Sequence, residues 1–432
     1  MKTITILASD YAKLDSDVQT GGGTDETAVF QNILDKALET PLRLVMDGAA
    51  LVGGLSFHSN TTIECLNQTC GFYLADNANR ALLQNYNCDL TTINTENINI
   101  LGGTYNFNCL HQTHNFCPDG HEVTLFKPQD VGLYWVFGFR IYGIRNLLIR
   151  DVTTIDQRTF CMCVGNFDNV TMENIDLQLP NNMWAQNQDG LHFFGPGRFL
   201  TLRNIKGCAG DDLVSIAPDE IDEVSDITDV VVDGVMARDA DQVIRLFSRA
   251  AGKLDRVNIR NVTGIYKSFG FFINPWYDDP KLMRGNIGNL TIENVDLVQK
   301  NHKYDYSTPV LFRLGGNIEK ITLRNIRFLN QTDKAVFLQI GGYYINDANY
   351  TESQTTNIGT VFLDNVEVVK NKNDIKTTAM ELDGCIENLI INNAFWNDLD
   401  ESNIVIGKNA KVNNLGGIDA DVYRKLLQKA GK

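Results

Sequence analysis

Nine times along this chain, a short apolar strand fragment runs into one Asn, Asp or Gly and then resumes with an apolar residue. The first copy is Leu147-Leu148-Ile149-Arg150-Asp151-Val152. It is followed by VTMENI ending at Ile175, LTLRNI at Ile205, VVVDGV at Val235, VNIRNV at Val262, LTIENV at Val295, ITLRNI at Ile326, VFLDNV at Val366 and LIINNA at Ala394. The interrupting residues are Asp151, Asn174, Asn204, Gly234, Asn261, Asn294, Asn325, Asn365 and Asn393. These are the types that tolerate φ > 0. Each copy therefore reads as a strand, one left-handed corner and the start of a second strand. Successive corners are 23, 30, 30, 27, 33, 31, 40 and 28 residues apart. A unit recurring at that interval predicts coils stacked on their neighbours. The expected fold is all-β: a right-handed parallel β-helix, in which residues one coil apart in sequence lie side by side.

The repeat runs from about residue 95 to 414, so 432 residues read as one solenoid domain rather than several globular ones. Three parts are expected: an N-terminal cap at about 9–40, coils at about 42–414, and a tail or short helix at 415–432. Within the cap, Ala28, Ile33, Leu34, Ala37 and Leu38 recur at helical spacing, which predicts a helix within about 25–38 with Thr24 or Asp25 as N-cap. Such a helix would close the first coil, where strand edges are otherwise bare. Strands are expected at Leu42–Met46, Leu51–Phe57, Thr61–Cys65 and Ile98–Ile100. The repeat breaks from Tyr105 to Phe126, which reads as a long loop.

Formal net charge is −15, which argues against a nucleic-acid partner, since that needs a basic face. No stretch reaches the ~18 apolar residues of a membrane span. The opening MKTITILASDYAKL lacks a signal-peptide core, so the expected location is cytoplasmic, or secreted with a leader already removed. The nine cysteines are scattered and read as reduced, small packed hydrophobes. Cys109, His111, His114, Cys117 and His121 fall close together, but their spacing matches no standard zinc pattern; no metal or cofactor is expected. Oligomeric state is left open.

The chemistry concentrates between Asn187 and Asp212. Asp189 precedes Asp211 and Asp212 by 22 and 23 residues, about one coil. Neighbouring strands lie ~4.8 Å apart, so the three carboxylates are expected to cluster on one wall. Like charges raise one another's affinity for protons, which suits a general acid; an ionised neighbour suits a general base. Inverting glycosidases hold their carboxyls about 6.5–9.5 Å apart to fit a water, a span that a three-member cluster can reach. Turn-capping aspartates, or a calcium site, are the competing readings of the same residues.

The ordered set Asn187-Gln188-Asp189-Gly190 and Gly210-Asp211-Asp212 resembles the Asn-Thr-Asp and Gly-Asp-Asp pattern of family 28 glycoside hydrolases, the polygalacturonase-like enzymes. The opening Gly23-Thr24-Asp25-Glu26-Thr27-Ala28 with Gln31 is similar to the N-terminal cap of the wider pectin-lyase-like superfamily. The resemblance implies that Asp211 is the general acid and that Asp189 with Asp212 activates water in an inverting hydrolysis. Two family motifs are missing. Where Gly-His-Gly is expected, the chain reads Asp239-Ala240-Asp241-Gln242-Val243-Ile244-Arg245. Where an Arg-Ile-Lys triplet would grip a uronate, it reads Gly270-Phe271-Phe272-Ile273. Polygalacturonate is accordingly not the expected substrate.

Asn187, His192, Trp184, Arg245, Arg249 and Trp276 are the candidate substrate-binding residues. His192 follows Asp189 at odd spacing, the arginines suit an anionic or hydroxyl-rich sugar, and the indoles suit sugar faces. The expected function is a glycoside hydrolase acting on an oligo- or polysaccharide. A polysaccharide lyase and a glycan-binding tailspike or adhesin share the architecture, and the fold alone does not choose among them.

Overall fold

The computed structural model describes residues 2–112, 137–182, 187–222, 224–248, 251–273, 285–300, 308–331, 334–341, 356–369, 376–396 and 403–429. They form a right-handed parallel β-helix: strands pair in parallel, each with the strand one coil away. The chain divides into two compact units, 1–214 and 215–432.

In the first unit, Ile63, Ile100, Ile149, Met172 and Leu202 are register partners on successive coils, and all are at most 1% exposed. This inward column is the apolar half of the repeat. The second unit repeats it with Ile259, Ile292, Leu323, Leu363 and Ile391.

All nine corners lie in the left-handed region, with φ from 50° to 84°. In the first unit the carboxamide of Asn204 donates to Oδ1 of Asn174 (2.9 Å), and that of Asn174 to Oδ1 of Asp151 (2.8 Å). A second column joins Asn169, Asn146, Asn97 and Asn60 at 2.9–3.0 Å. In the second unit Asn365, Asn325, Asn294, Asn261 and Asp233 do the same. The corner residue thus accepts the positive φ and hydrogen-bonds to the coil before it.

The N-terminal helix spans Thr27–Leu34 and tightens into a 3-10 turn over Asp35–Leu38. Its N-cap position is Glu26, not Thr24 or Asp25. Asp25 instead acts from one residue earlier, its Oδ1 accepting the Thr27 N–H at 2.9 Å. Gln31 shows how the helix closes the coil. Its carboxamide donates to the Ser56 carbonyl and accepts the Ser56 N–H, both at 2.9 Å. These are bonds a neighbouring strand would make to Leu55–Phe57, so the edge is satisfied. Phe30 meets Phe72 edge-on at 5.1 Å beneath it. Strands occur as expected at Leu42–Met46 and Thr61–Cys65, while Ile98–Ile100 lies within Thr95–Leu101. The expected strand Leu51–Phe57 is two strands, Ala49–Val52 and Leu55–Phe57, because Gly54 turns the chain at φ 102°. A helix at Ala420–Lys429 packs on the last strands of the second unit.

Among the described residues no disulfide forms. Burial pushes the thiols of Cys65, Cys109 and Cys161 each up to about 12. No helix of the described residues is long and apolar enough to cross a membrane. Of the Cys/His group, Cys109 is buried and Nδ1 of His111 lies 2.7 Å from Oδ1 of Asn108. His114, Cys117 and His121 lie outside the described residues.

Candidate active site

The three aspartates converge in the first unit. One carboxylate oxygen from each lies within 4.8 Å of the others. Two features of the backbone bring them together. Asp189 stands just before the strand that begins at Leu191, and the same strand returns one coil later through Gly210, Asp211 and Asp212. The two passes are then tied together: the Gly190 N–H donates to the Asp212 carbonyl (2.8 Å) and the Gly210 N–H to the Gln188 carbonyl (3.0 Å).

Gly190 is required by close approach of backbone rather than by unusual φ, and Gly210 leaves room for a side chain. A Cβ on Gly190 would stand 2.4 Å from the Leu213 carbonyl oxygen, and one on Gly210 would stand 2.4 Å from Oε1 of Gln188. The preceding coil holds Asp189 from the other side. The Asp189 carbonyl accepts from the Cys161 N–H (2.9 Å) and from Nε2 of Gln157 (3.1 Å). Gln188 answers with Nε2 on the Gln157 carbonyl (3.0 Å). Two fully buried glutamine carboxamides thus clamp the backbone that carries the first aspartate.

The side chains differ in setting. Asp189 is 1% exposed, and its Oδ2 lies 2.8 Å from Nδ1 of His192. The His192 ring stacks on Phe160 at 4.2 Å and leans on Phe194 at 4.6 Å. Asp212 is 8% exposed. Asp211 is the one at intermediate exposure, and its Oδ2 accepts the Asn187 N–H at 2.8 Å. Asn187 makes that bond from a left-handed backbone, φ 60°. The carboxylates are therefore more enclosed than an open groove would leave them, and Asp211 is the most accessible of the three.

Two unit charges 4.8 Å apart repel by about 3 kcal/mol at the effective dielectric near a protein surface. A proton, a donor or a cation must offset this. The cluster suits proton exchange, and the same oxygens would also suit a hard cation such as calcium, which takes carboxylate ligands.

Of the other expected site residues, Asn187 and His192 touch the aspartates. Arg245 belongs to the second unit, where it is 4% exposed. Trp184, Arg249 and Trp276 lie outside the described residues. The sequence reading missed Gln157, Gln188 and Phe160. The repeat carries a signal for the last: Cys163 is the register partner of His192 one coil earlier, which brings Phe160 close to the imidazole.

No protein-family model matches this chain, and no curated protein does. Solved structures do match. The family 28 exopolygalacturonase of Yersinia enterocolitica is 15% identical, with 96% of this chain and 78% of that one covered and a TM-score of 0.59. A hyperthermoactive exopolygalacturonase from Thermotoga maritima is 15% identical over 84% of this chain and 92% of its own, with a TM-score of 0.50. The tailspike protein of E. coli bacteriophage HK620, solved with a pentasaccharide, is 11% identical over 90% and 64%, also at 0.50. At these identities the likeness is one of fold, and the parallel β-helix of this chain is the fold that family 28 exopolygalacturonases and a phage tailspike share.

Proposed function

We propose that this protein is a glycoside hydrolase that cleaves a glycosidic bond by acid–base catalysis at Asp189, Asp211 and Asp212. The observation that carries the reading is the convergence of three carboxylates within 4.8 Å on a backbone clamped from both neighbouring coils. Asp211 is assigned the acid role. It is the most accessible of the three, and the Asn187 N–H donates to its Oδ2. As the acid it gives a proton to the glycosidic oxygen as the bond to the anomeric carbon breaks. Water adds to that carbon, and its proton passes to the carboxylates of Asp189 and Asp212. His192 holds Asp189 in place through Nδ1. The backbone clamp keeps this geometry fixed, and such preorganisation is a large part of catalytic power.

The resemblance to family 28 supports inversion at the anomeric carbon. Retaining enzymes hold their carboxyls ~5–5.5 Å apart and inverting ones ~6.5–9.5 Å apart, so stereochemistry is the sharpest test of mechanism. Proton NMR of the first-formed product, on whichever member of a broad oligosaccharide panel is cleaved, should show the inverted anomer. A retained anomer would make one aspartate a nucleophile. Binding without any hydrolysis across the panel would place the protein with glycan-binding β-helices. Unsaturated, calcium-dependent products would make it a lyase.

A further inference from the structure

The second unit carries a groove of about 380 Å³ that the acid–base reading leaves unused. Small-molecule sites run from ~300 to ~1,000 Å³. Three asparagines line it, Asn286, Asn317 and Asn357, register partners that each begin a strand on successive coils. Ile287 and Ile318, 3% and 2% exposed, supply its apolar lining. Lys253 and Glu319 also line it and meet at 2.7 Å.

The asparagines are not corner residues. None of the three has positive φ; Gly285 and Gly316 supply it, at 53° and 70°, one residue before the first two. Asparagine is otherwise disfavoured in strands. The stack is also loose. Nδ2 of Asn357 lies 3.4 Å from Oδ1 of Asn317, whereas the amides of the corner column from Asn261 to Asn365 join at 2.8–3.2 Å. Backbone conformation does not account for asparagine here as it does at the corners.

The ion pair is equally particular. Leu254, Ile287 and Ile318 are register partners on successive coils, so Lys253 and Glu319 reach each other across the coil between them. Gly288 leaves room for the crossing: a Cβ there would stand 2.9 Å from Cε of Lys253. The two side chains are 36% and 60% exposed, and such pairs contribute little to stability. At the groove they supply donors and acceptors with no net charge.

We propose that this groove is a second saccharide site, which binds a neutral sugar and shares no residue with the aspartate cluster. A carboxamide both donates and accepts, as a sugar hydroxyl does, and here carboxamides repeat at the ~4.8 Å interval of neighbouring strands. The isoleucines offer apolar surface to the C–H face of a ring. Glu319 already matches Lys253, so the groove has no demand for an acidic ligand. The role is binding, and it stands whether or not the aspartates cleave a glycan.

The test is calorimetry on the Asp211→Asn protein with cellotriose, maltotriose, mannotriose and galactotriose, beside trigalacturonate as the acidic comparison. At least one neutral trisaccharide should bind. Adding Asn317→Leu should weaken that binding at least tenfold and leave any binding of trigalacturonate unchanged. The proposal is overturned if no neutral probe binds, if Asn317→Leu binds as tightly as its parent, or if it weakens trigalacturonate equally. Should Asn317→Leu fail to fold, Asn357→Leu, at an exposed position, takes its place under the same criteria. A protein that hydrolyses nothing yet binds through Asn317 would overturn the hydrolase reading alone.

Discussion

Asp168 and Asp189 occupy the same unit, and each has a charged or titratable partner one coil away, yet their surroundings are opposite. Asp168 is the register partner of Arg145 on one coil and of Arg198 on the next. Arg198 meets it with two bonds of 3.0 Å, and Arg145 with one of 3.4 Å. Asp189 finds two more carboxylates one coil on, with oxygens within 4.8 Å. A solenoid multiplies whatever a corner or wall position carries, because each residue meets its counterparts above and below. Where the position is structural, the stack alternates charge, as at Asp168, or pairs neutral amides, as in the Asn174–Asn204 column. A stack of like charges works against folding, and the residues that hold it in place are what single it out as the candidate site.

That contrast predicts opposite responses to the same chemical change. Asp211→Asn should lower turnover by ~10²–10⁴-fold, the range for a lost general acid. It should not lower thermal stability, because asparagine keeps the shape and the oxygen that accepts the Asn187 N–H. The loss should shrink on substrates whose leaving groups need no proton; an equal loss on all leaving groups would remove Asp211 from the acid role. A chelator should leave the wild-type rate unchanged, and abolition would assign the cluster to a cation. The Asp189–His192 pair should behave as a support. His192→Phe keeps the stack on Phe160 but takes a partner from a carboxylate that is 1% exposed. Breaking a buried pair in this way costs about 3–5 kcal/mol, read as a fall in the urea midpoint. An unchanged midpoint would mean that Asp189 is not held by the imidazole.

The corners and the apolar columns were legible because each is a local rule repeated many times. All nine residues picked out by spacing have positive φ, and the column from Ile63 to Leu202 follows from the same periodicity. The convergence of Asp189 with Asp211 and Asp212 followed from coil length. What the sequence hid are contacts between unlike residues that occur once. Gln157 on the Asp189 carbonyl is such a contact, and so is Phe160 beneath His192. Both depend on where a chain enters a strand, which composition does not encode. The enclosure of Asp189 was hidden for the same reason. The Gly53–Gly54 break shows the converse: an apolar run from Leu51 to Phe57 looked continuous because alternation outweighed a single turn residue.

The neutral column offers a middle-sized test. Asn174→Ala forces an alanine into φ 55° and deletes its bonds to Asp151 and to Asn204. Left-handed strain of ~1–2 kcal/mol and two hydrogen bonds of ~0.5–1 kcal/mol each together predict a loss of about 2–4 kcal/mol. Asn174→Gly relieves the strain and should cost only about 1–2 kcal/mol. Equal losses for the two variants would show that the amide column, not the backbone conformation, selects asparagine at these corners.

The smallest effect is expected at Asp168, and its sign is what matters. Hydrogen bonding from Arg198, then the charges of Arg198 and Arg145, hold its carboxyl below the usual range. A carboxyl whose folded value is depressed adds stability that is fully present above its unfolded value, ~3.9, and is lost as pH falls through the folded value. Both arginines are well exposed, at 60% and 49%, and solvent limits such pairs to below about 1 kcal/mol. Asp168→Asn should therefore lower the urea midpoint slightly at pH 7, and its difference from the parent protein should vanish as pH falls through the depressed folded value. If Asp168→Asn instead stabilised the fold at pH 7, alternating charge would not be what distinguishes a structural column from a site.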